Sequence, residues 1–243
     1  MKRFKIDFSF FILLAIISLS PKQDIVLKLL LCLFLHELGH LVFIWIFHYK
    51  VAALRLSLFG FFMRLDRNQT ECIKDIFVYL GGILMNLACY LFIPDPTIKK
   101  VSLLLILFNS LPIYPLDGFQ VIQSILSYFI PYRIVLKFMS SISLICSSIL
   151  FLYLTTNRMD LFVLFNAGYL IFLSALYFFK EEKVVFQKFL LEKSLYPSTY
   201  PIRKIKLQER FNLCFYKYHT TQMVVGDKTI EEREILNTRK LFQ

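Results

Sequence analysis

His36-Glu37-Leu38-Gly39-His40 gathers the ingredients of metal-assisted hydrolysis into one short run. On a helix, residues four apart share a face, so two imidazoles at this spacing can grip one zinc ion. Glu37 lies beside that face and can take a proton from a metal-bound water. In a chain with 4 His, H-E-x-x-H is expected by chance about 0.002 times. The competing assignment is a polar cluster that bonds neighbouring helices. Setting such a cluster deep in an apolar run costs several kcal/mol unless it lines protein or a water-filled cavity.

A zinc site of this kind needs a third protein ligand and an open position. Asp117 is the candidate, within Asn109-Ser110-Leu111-Pro112-Ile113-Tyr114-Pro115-Leu116-Asp117-Gly118. Two prolines interrupt an apolar run there and Gly118 permits a tight turn, so the carboxylate could project from an unwound segment. The alternative is that Asp117 merely caps a helix that starts near Phe119. Cys32 is a rival ligand, because positions 32, 36 and 40 form one helical stripe; a buried apolar cysteine is its alternative. The five cysteines (Cys32, Cys72, Cys89, Cys146 and Cys214) include no C-x-x-C pair, which speaks against a disulfide framework or a cysteine-only zinc site. His48 and His219 are expected at the surface.

The elements that must hold these residues are apolar. Hydrophobic residues make up 57% of the 243-residue chain and mean hydropathy is +0.61, too high for an ordinary soluble domain. Spans are expected at Phe8–Leu19, Ile25–Phe47, Ile76–Ile93, Val101–Leu116 (broken by Pro112 and Pro115), Ile134–Leu154 and Leu161–Phe179. The first is short and could instead be a cleaved signal peptide, with Ser18 and Ser20 near the cut. Lys and Arg total 28 against 17 acids, a net charge of +11. Six spans put Lys2, Arg3, Lys5, Lys50, Arg55, Arg64, Arg67, Lys74, Arg133, Lys137 and the tail on one side, against Lys22, Lys99, Lys100 and Arg158. The positive-inside rule then places both termini in the cytoplasm. No basic helix carries interleaved polar base-readers, so nucleic acid is not an expected partner.

Between the second and third spans, Leu54, Leu56 and Leu58 alternate with Arg55 and Ser57, and Gly60 offers a turn before Phe61 to Leu65. This predicts a β-hairpin over Val51–Asp66, set at the interface or against protein. Residues 180–243 change character, with a strand and turn expected at Val224–Asp227 and a short helix at Ile230–Asn237. The expected fold is an all-α polytopic membrane protein. It has about six transmembrane helices over residues 1–179, a small membrane-associated β-hairpin, and a short cytoplasmic appendage over 180–243.

With both motifs in hand, roughly residues 25–130 resemble the site-2 protease family of intramembrane zinc metalloproteases. The resemblance implies that His36, His40 and Asp117 bind one Zn2+ and that Glu37 is the catalytic base. A middle family motif, Gly-Pro-x-x-Asn, stands here as Gly82-Ile83-Leu84-Met85-Asn86, with Ile83 in place of proline. Phe119 replaces the usual second glycine after the aspartate, and Gln120 follows where a basic residue is common. Asn86 and Asn109 are candidates to bond the substrate or to hold helix packing. The hairpin edge at Gly60, Phe61 and Phe62 is a candidate to receive the substrate as an added strand, or else to plug the cytoplasmic mouth.

The absence of a PDZ insertion, the compact span layout and the tail are similar to the sporulation branch, which processes a membrane-tethered pro-sigma factor. That implies a membrane-tethered protein substrate, a site in the membrane around the forespore, and inhibitory or regulatory membrane proteins as partners. Members of that branch carry a nucleotide-binding CBS domain; the tail here is about half the length of a CBS pair, a reduced remnant at most. The alternatives are a general site-2 protease acting on an anti-sigma factor, and a non-catalytic membrane metal carrier or regulatory protein. Glu37 argues against the last, because transport needs ligands but no general base.

Overall fold

The computed structural model describes residues 3–6, 23–49, 51–57, 60–65, 71–157, 161–195, 201–206, 215–225 and 228–237. The chain divides into two compact units, Met1–Ser110 and Leu111–Gln243. Among the described residues, four helices are long and apolar enough to cross a membrane: Asp24–Ile46, Cys72–Phe92, Tyr132–Thr156 and Val163–Lys180. The chain is a polytopic helical membrane protein. The expected first span, Phe8–Leu19, lies outside the described residues.

The first unit runs β1 (Arg3–Ile6), α1 (Gln23–Ile46), β2 (Val51–Ser57), β3 (Gly60–Leu65), α2 (Cys72–Phe92) and α3 (Pro96–Asn109). The hairpin forms as expected: β2 pairs antiparallel with β3, and Gly60 opens β3 opposite Ser57. β1 adds to β2 in parallel, making the sheet order β1-β2-β3. That strand reads in the sequence only as a basic flank.

Helix α1 ends in a Schellman motif. Tyr49 N–H donates to Ile44 O and His48 N–H to Trp45 O, while His48 takes a left-handed φ of 56°. The expected surface position of His48 holds, and Tyr49 turns back onto Ile44 and Val78 in one buried cluster. The Tyr49 hydroxyl donates to Asp75 at 3.0 Å, which ties the end of α1 to the first turn of α2.

The expected fourth span, Val101–Leu116, is instead a short helix followed by a turn. Asp95 caps α3 by accepting from Thr97 N and Ile98 N, and Pro96 fills the first helical position. The helix therefore begins before Val101 and stops at Asn109, three residues ahead of Pro112.

The second unit runs α4 (Asp117–Phe129), α5 (Tyr132–Thr156), α6 (Leu161–Leu176), a π-turn (Tyr177–Glu181), α7 (Glu182–Leu195), β4 (Ile202–Lys206), β5 (Thr220–Val225), β6 (Lys228–Glu231) and α8 (Glu232–Asn237). β4 lies parallel to β5, and β5 antiparallel to β6. Residues from the tail share one core with the helices before them: Phe119, Leu136 and Met139 pack with Phe189, Phe215 and Met223. A buried ion pair joins α7 to α8: Lys193 Nζ lies 2.7 Å from Glu232 Oε1 and also donates to His219 O. Losing one partner of such a pair costs about 3–5 kcal/mol, because the other charge is left buried. His219, expected at the surface, is buried with its ring 4.7 Å from that of Tyr128, and burial pushes its pKa down.

Candidate metal centre

His36 and His40 lie on successive turns of α1, both buried, with their Nε2 atoms 3.3 Å apart. Two nitrogens bound to one tetrahedral zinc at about 2.0–2.1 Å each would stand about 3.3–3.4 Å apart. The pair thus has the separation a shared ion requires. The rings meet edge to face at 82°, so their donor atoms converge while the ring bodies pack apart.

Helix α2 supplies what holds them. Val78, Gly82 and Asn86 recur every four residues, one face of α2, and each meets the histidines. His40 Nδ1–H donates to Val78 O at 2.7 Å, so the ring's Nε2 is the atom turned toward His36. Asn86 Nδ2 lies 2.9 Å from His36 Nδ1. Between them, a Cβ added at Gly82 would collide with the His36 ring and come 2.6 Å from His40 Nε2. Only a residue without a side chain leaves room for both imidazoles.

The same absence of bulk lets the helices approach. Gly39, the glycine inside H-E-x-x-H, packs on Gly81, where an added Cβ would lie 2.6 Å from Gly39 O. The family-like Gly82-to-Asn86 spacing therefore has a local physical meaning: room for the rings, then a polar partner one turn later. The neighbouring pair Gly39 and Gly81 was not singled out in the sequence. The doublet Gly81-Gly82 in an apolar helix is the signal that could have found it.

Glu37 is half-buried on the same turn. Cys32, the rival ligand, is fully buried in an apolar cluster with Cys89 and Ile98, its thiol 3.6 Å from Ser102 Oγ. That is the environment of a core cysteine. Asn109 donates its amide to Leu105 O at 3.0 Å on its own last turn. Gly60, Phe61 and Phe62 lie in β3, an edge strand of the sheet, which comes against α1.

Asp117, in the second unit, is the first residue of α4 and is half-buried. The N-cap position belongs to Leu116, whose side chain makes no capping bond. The turn before it is anchored: Tyr114 N–H donates to Ser143 Oγ at 2.8 Å, and the Tyr114 ring stacks on Tyr177 at 4.4 Å. Gln123 donates to the Tyr177 hydroxyl at 3.1 Å. These contacts pin the backbone from which the carboxylate springs.

No protein-family model matches the chain, and no curated protein matches it in sequence. Among solved structures, it shares its fold with a site-2 protease from Methanocaldococcus jannaschii. The two are 18% identical, with a TM-score of 0.54, over 71% of this chain and 89% of that chain.

Proposed function

We propose that this chain is an intramembrane zinc endopeptidase, which hydrolyses a peptide bond in or near the membrane segment of a tethered protein. One observation carries the proposal: two buried imidazoles converge through Nε2 at zinc-like separation, with Glu37 between them, on a site-2 protease fold. His36, His40 and Asp117 would hold the ion. The donor set of two imidazole nitrogens and one carboxylate oxygen suits a catalytic zinc site. When bound, zinc would supply an acidified water and polarise the scissile carbonyl.

The chain's own groups do the rest. Glu37 accepts the proton of the attacking water on its carboxylate and returns it to the leaving amide nitrogen. Val78 O holds His40 through Nδ1. A helical substrate hides its carbonyls in its own hydrogen bonds, so it must present an extended segment. The open edge of β3, at Gly60, Phe61 and Phe62, would receive that segment by main-chain bonding. Both termini lie in the cytoplasm in this reading. Its finer form is a pro-sigma factor as substrate during sporulation, a reading that rests on the resemblance of the compact layout, the tail and the missing PDZ insertion to the sporulation branch.

Glu37→Gln tests the chemistry. Cleavage of a co-purified tethered substrate should fall by at least about 10²-fold, the usual worth of a positioned base, while bound zinc is unchanged. Undiminished cleavage would sink the protease assignment. Prolines placed singly from Phe61 to Leu65 test the edge: some should block processing while zinc content persists. Normal processing by every such variant would leave β3 no role as a docking edge.

A further inference from the structure

Helices α4 and α5 meet at the corner Ile130-Pro131, and the local sequence leaves both helix ends short of partners. Pro131 has no N–H and makes no side-chain cap, and Ile130 before it is held in extended backbone. Ile130 N–H returns to Leu126 O. The last carbonyls of α4, on Tyr128 and Phe129, then have no donor within their own helix, and neither has the first N–H of α5, on Tyr132, an acceptor within its own.

The tail supplies both. Phe215 O accepts from Tyr132 N–H at 2.8 Å. Arg203 of β4 donates from Nη1 to Tyr128 O and Phe129 O, 3.4 Å from each. Its guanidinium lies over the Tyr216 ring, 4.3 Å from the centroid. The His219 ring adds a contact with the Tyr128 ring at 4.7 Å. The signs also agree: a carbonyl meets the positive end of α5, and a cation meets the negative end of α4.

Asp117 stands at the other end of α4, about 18 Å away at 1.5 Å per residue. Phe119, on the same first turn, is fully buried in one core with Phe215 and Met223 of the tail. Tail residues thus grip the last turn of α4 and share the core around its first. A helix this short moves as a body, because every turn is bonded to the next. A shift at Phe129 is therefore a shift at Asp117.

We propose that Arg203 is a positioning residue for the metal centre: from β4 it caps the end of α4 and so sets the placement of Asp117 at the other end. This rests on the zinc reading of Asp117. It makes the tail a support of the centre rather than a separate appendage. Arginine suits the task because its planar group can stack on Tyr216 while it donates to carbonyls, which a lysine ammonium does less well.

Zn2+ affinity of the purified full-length protein, by competition with a chromophoric chelator, tests it. Arg203→Ala should weaken binding about 5-fold, the worth of one well-placed charge at a helix C-terminus. Arg203→Lys keeps the charge without the fork and should fall between that variant and the parent. Asp117→Ala should weaken binding more than either. The deciding measurement is the double variant. With Asp117→Ala in place, Arg203→Ala should cost nothing further, because its effect passes through that carboxylate. Should Arg203→Ala fail to fold, Arg203→Lys carries the same comparison. If Arg203→Ala binds as the parent does while Asp117→Ala is weakened, the positioning role is wrong and the metal centre stands. If Arg203→Ala weakens binding by the same factor with and without Asp117, its effect does not pass through the carboxylate and the role is again wrong. If Asp117→Ala binds as the parent does, the zinc reading of Asp117 and this proposal fall together.

Discussion

The histidine pair and the turn that carries Asp117 are both polar features in apolar surroundings, but different forces fix them. The histidines are held by exclusion of space. Gly39 on Gly81 and Gly82 under the two rings leave no room for a methyl group, and Val78 O and Asn86 hold the two Nδ1 atoms. The Asp117 turn is held by attachments, among them a backbone bond to Ser143 and contacts of the Tyr114 ring with Tyr177 and Phe119. A site fixed by packed backbones fails abruptly when crowded, because protein interiors do not compress. A turn fixed by separable contacts should loosen by degrees, losing about 1 kcal/mol for each contact removed.

The largest expected effect breaks the first arrangement. Gly82→Ala puts a Cβ against both imidazoles, so zinc binding and cleavage should both be lost. Gly168→Ala, in α6 of the second unit, is the matched control. Its Cβ would meet only the Phe151 ring, at an ordinary 3.8 Å, and alanine is the better helix former by about 1 kcal/mol. That variant should keep activity and gain thermal stability. Zinc content and melting temperature of the two proteins check the pair. Equal loss in both would mean that tight space is not what distinguishes the histidine face.

The sequence made one side of this contrast easier to see than the other. His36 and His40 declare themselves because helical spacing alone places them together, and alternation alone declares the β2–β3 hairpin. What holds the histidines is written 38 to 50 residues later, at Val78 and Asn86. Only the register of α1 against α2 reveals which of their atoms meet the rings. The same limit hid β1, a strand of four residues whose pairing with β2 has no local signature. The early start of α3 was legible in principle, since Asp95-Pro96 is a cap followed by a proline. The tail's core contacts were not, because Phe215 and Met223 meet Phe119 and Leu136 across about a hundred residues of chain.

Ser143→Ala probes the second arrangement and should have the smallest effect. Ser143 Oγ accepts from Tyr114 N–H at 2.8 Å and lies 2.9 Å from Ser174 Oγ. Either serine hydroxyl can donate to the other, and in both arrangements Ser143 Oγ stays the acceptor for the turn. Removing the hydroxyl leaves a half-buried N–H without that acceptor, at a cost of about 0.5–1.5 kcal/mol. Tyr114 would still stack on Tyr177, so the turn should shift in population rather than unfold. Cleavage should fall a few-fold, up to about tenfold if 1.4 kcal/mol is lost, with zinc content close to the parent's. Ser174→Ala should do less, because it removes the support behind Ser143 and leaves the acceptor in place. Turnover measured for the two serine variants beside Gly82→Ala decides the matter. If Ser143→Ala abolishes activity as fully as Gly82→Ala, the Asp117 turn has no slack, and the two regions are held with the same rigidity after all.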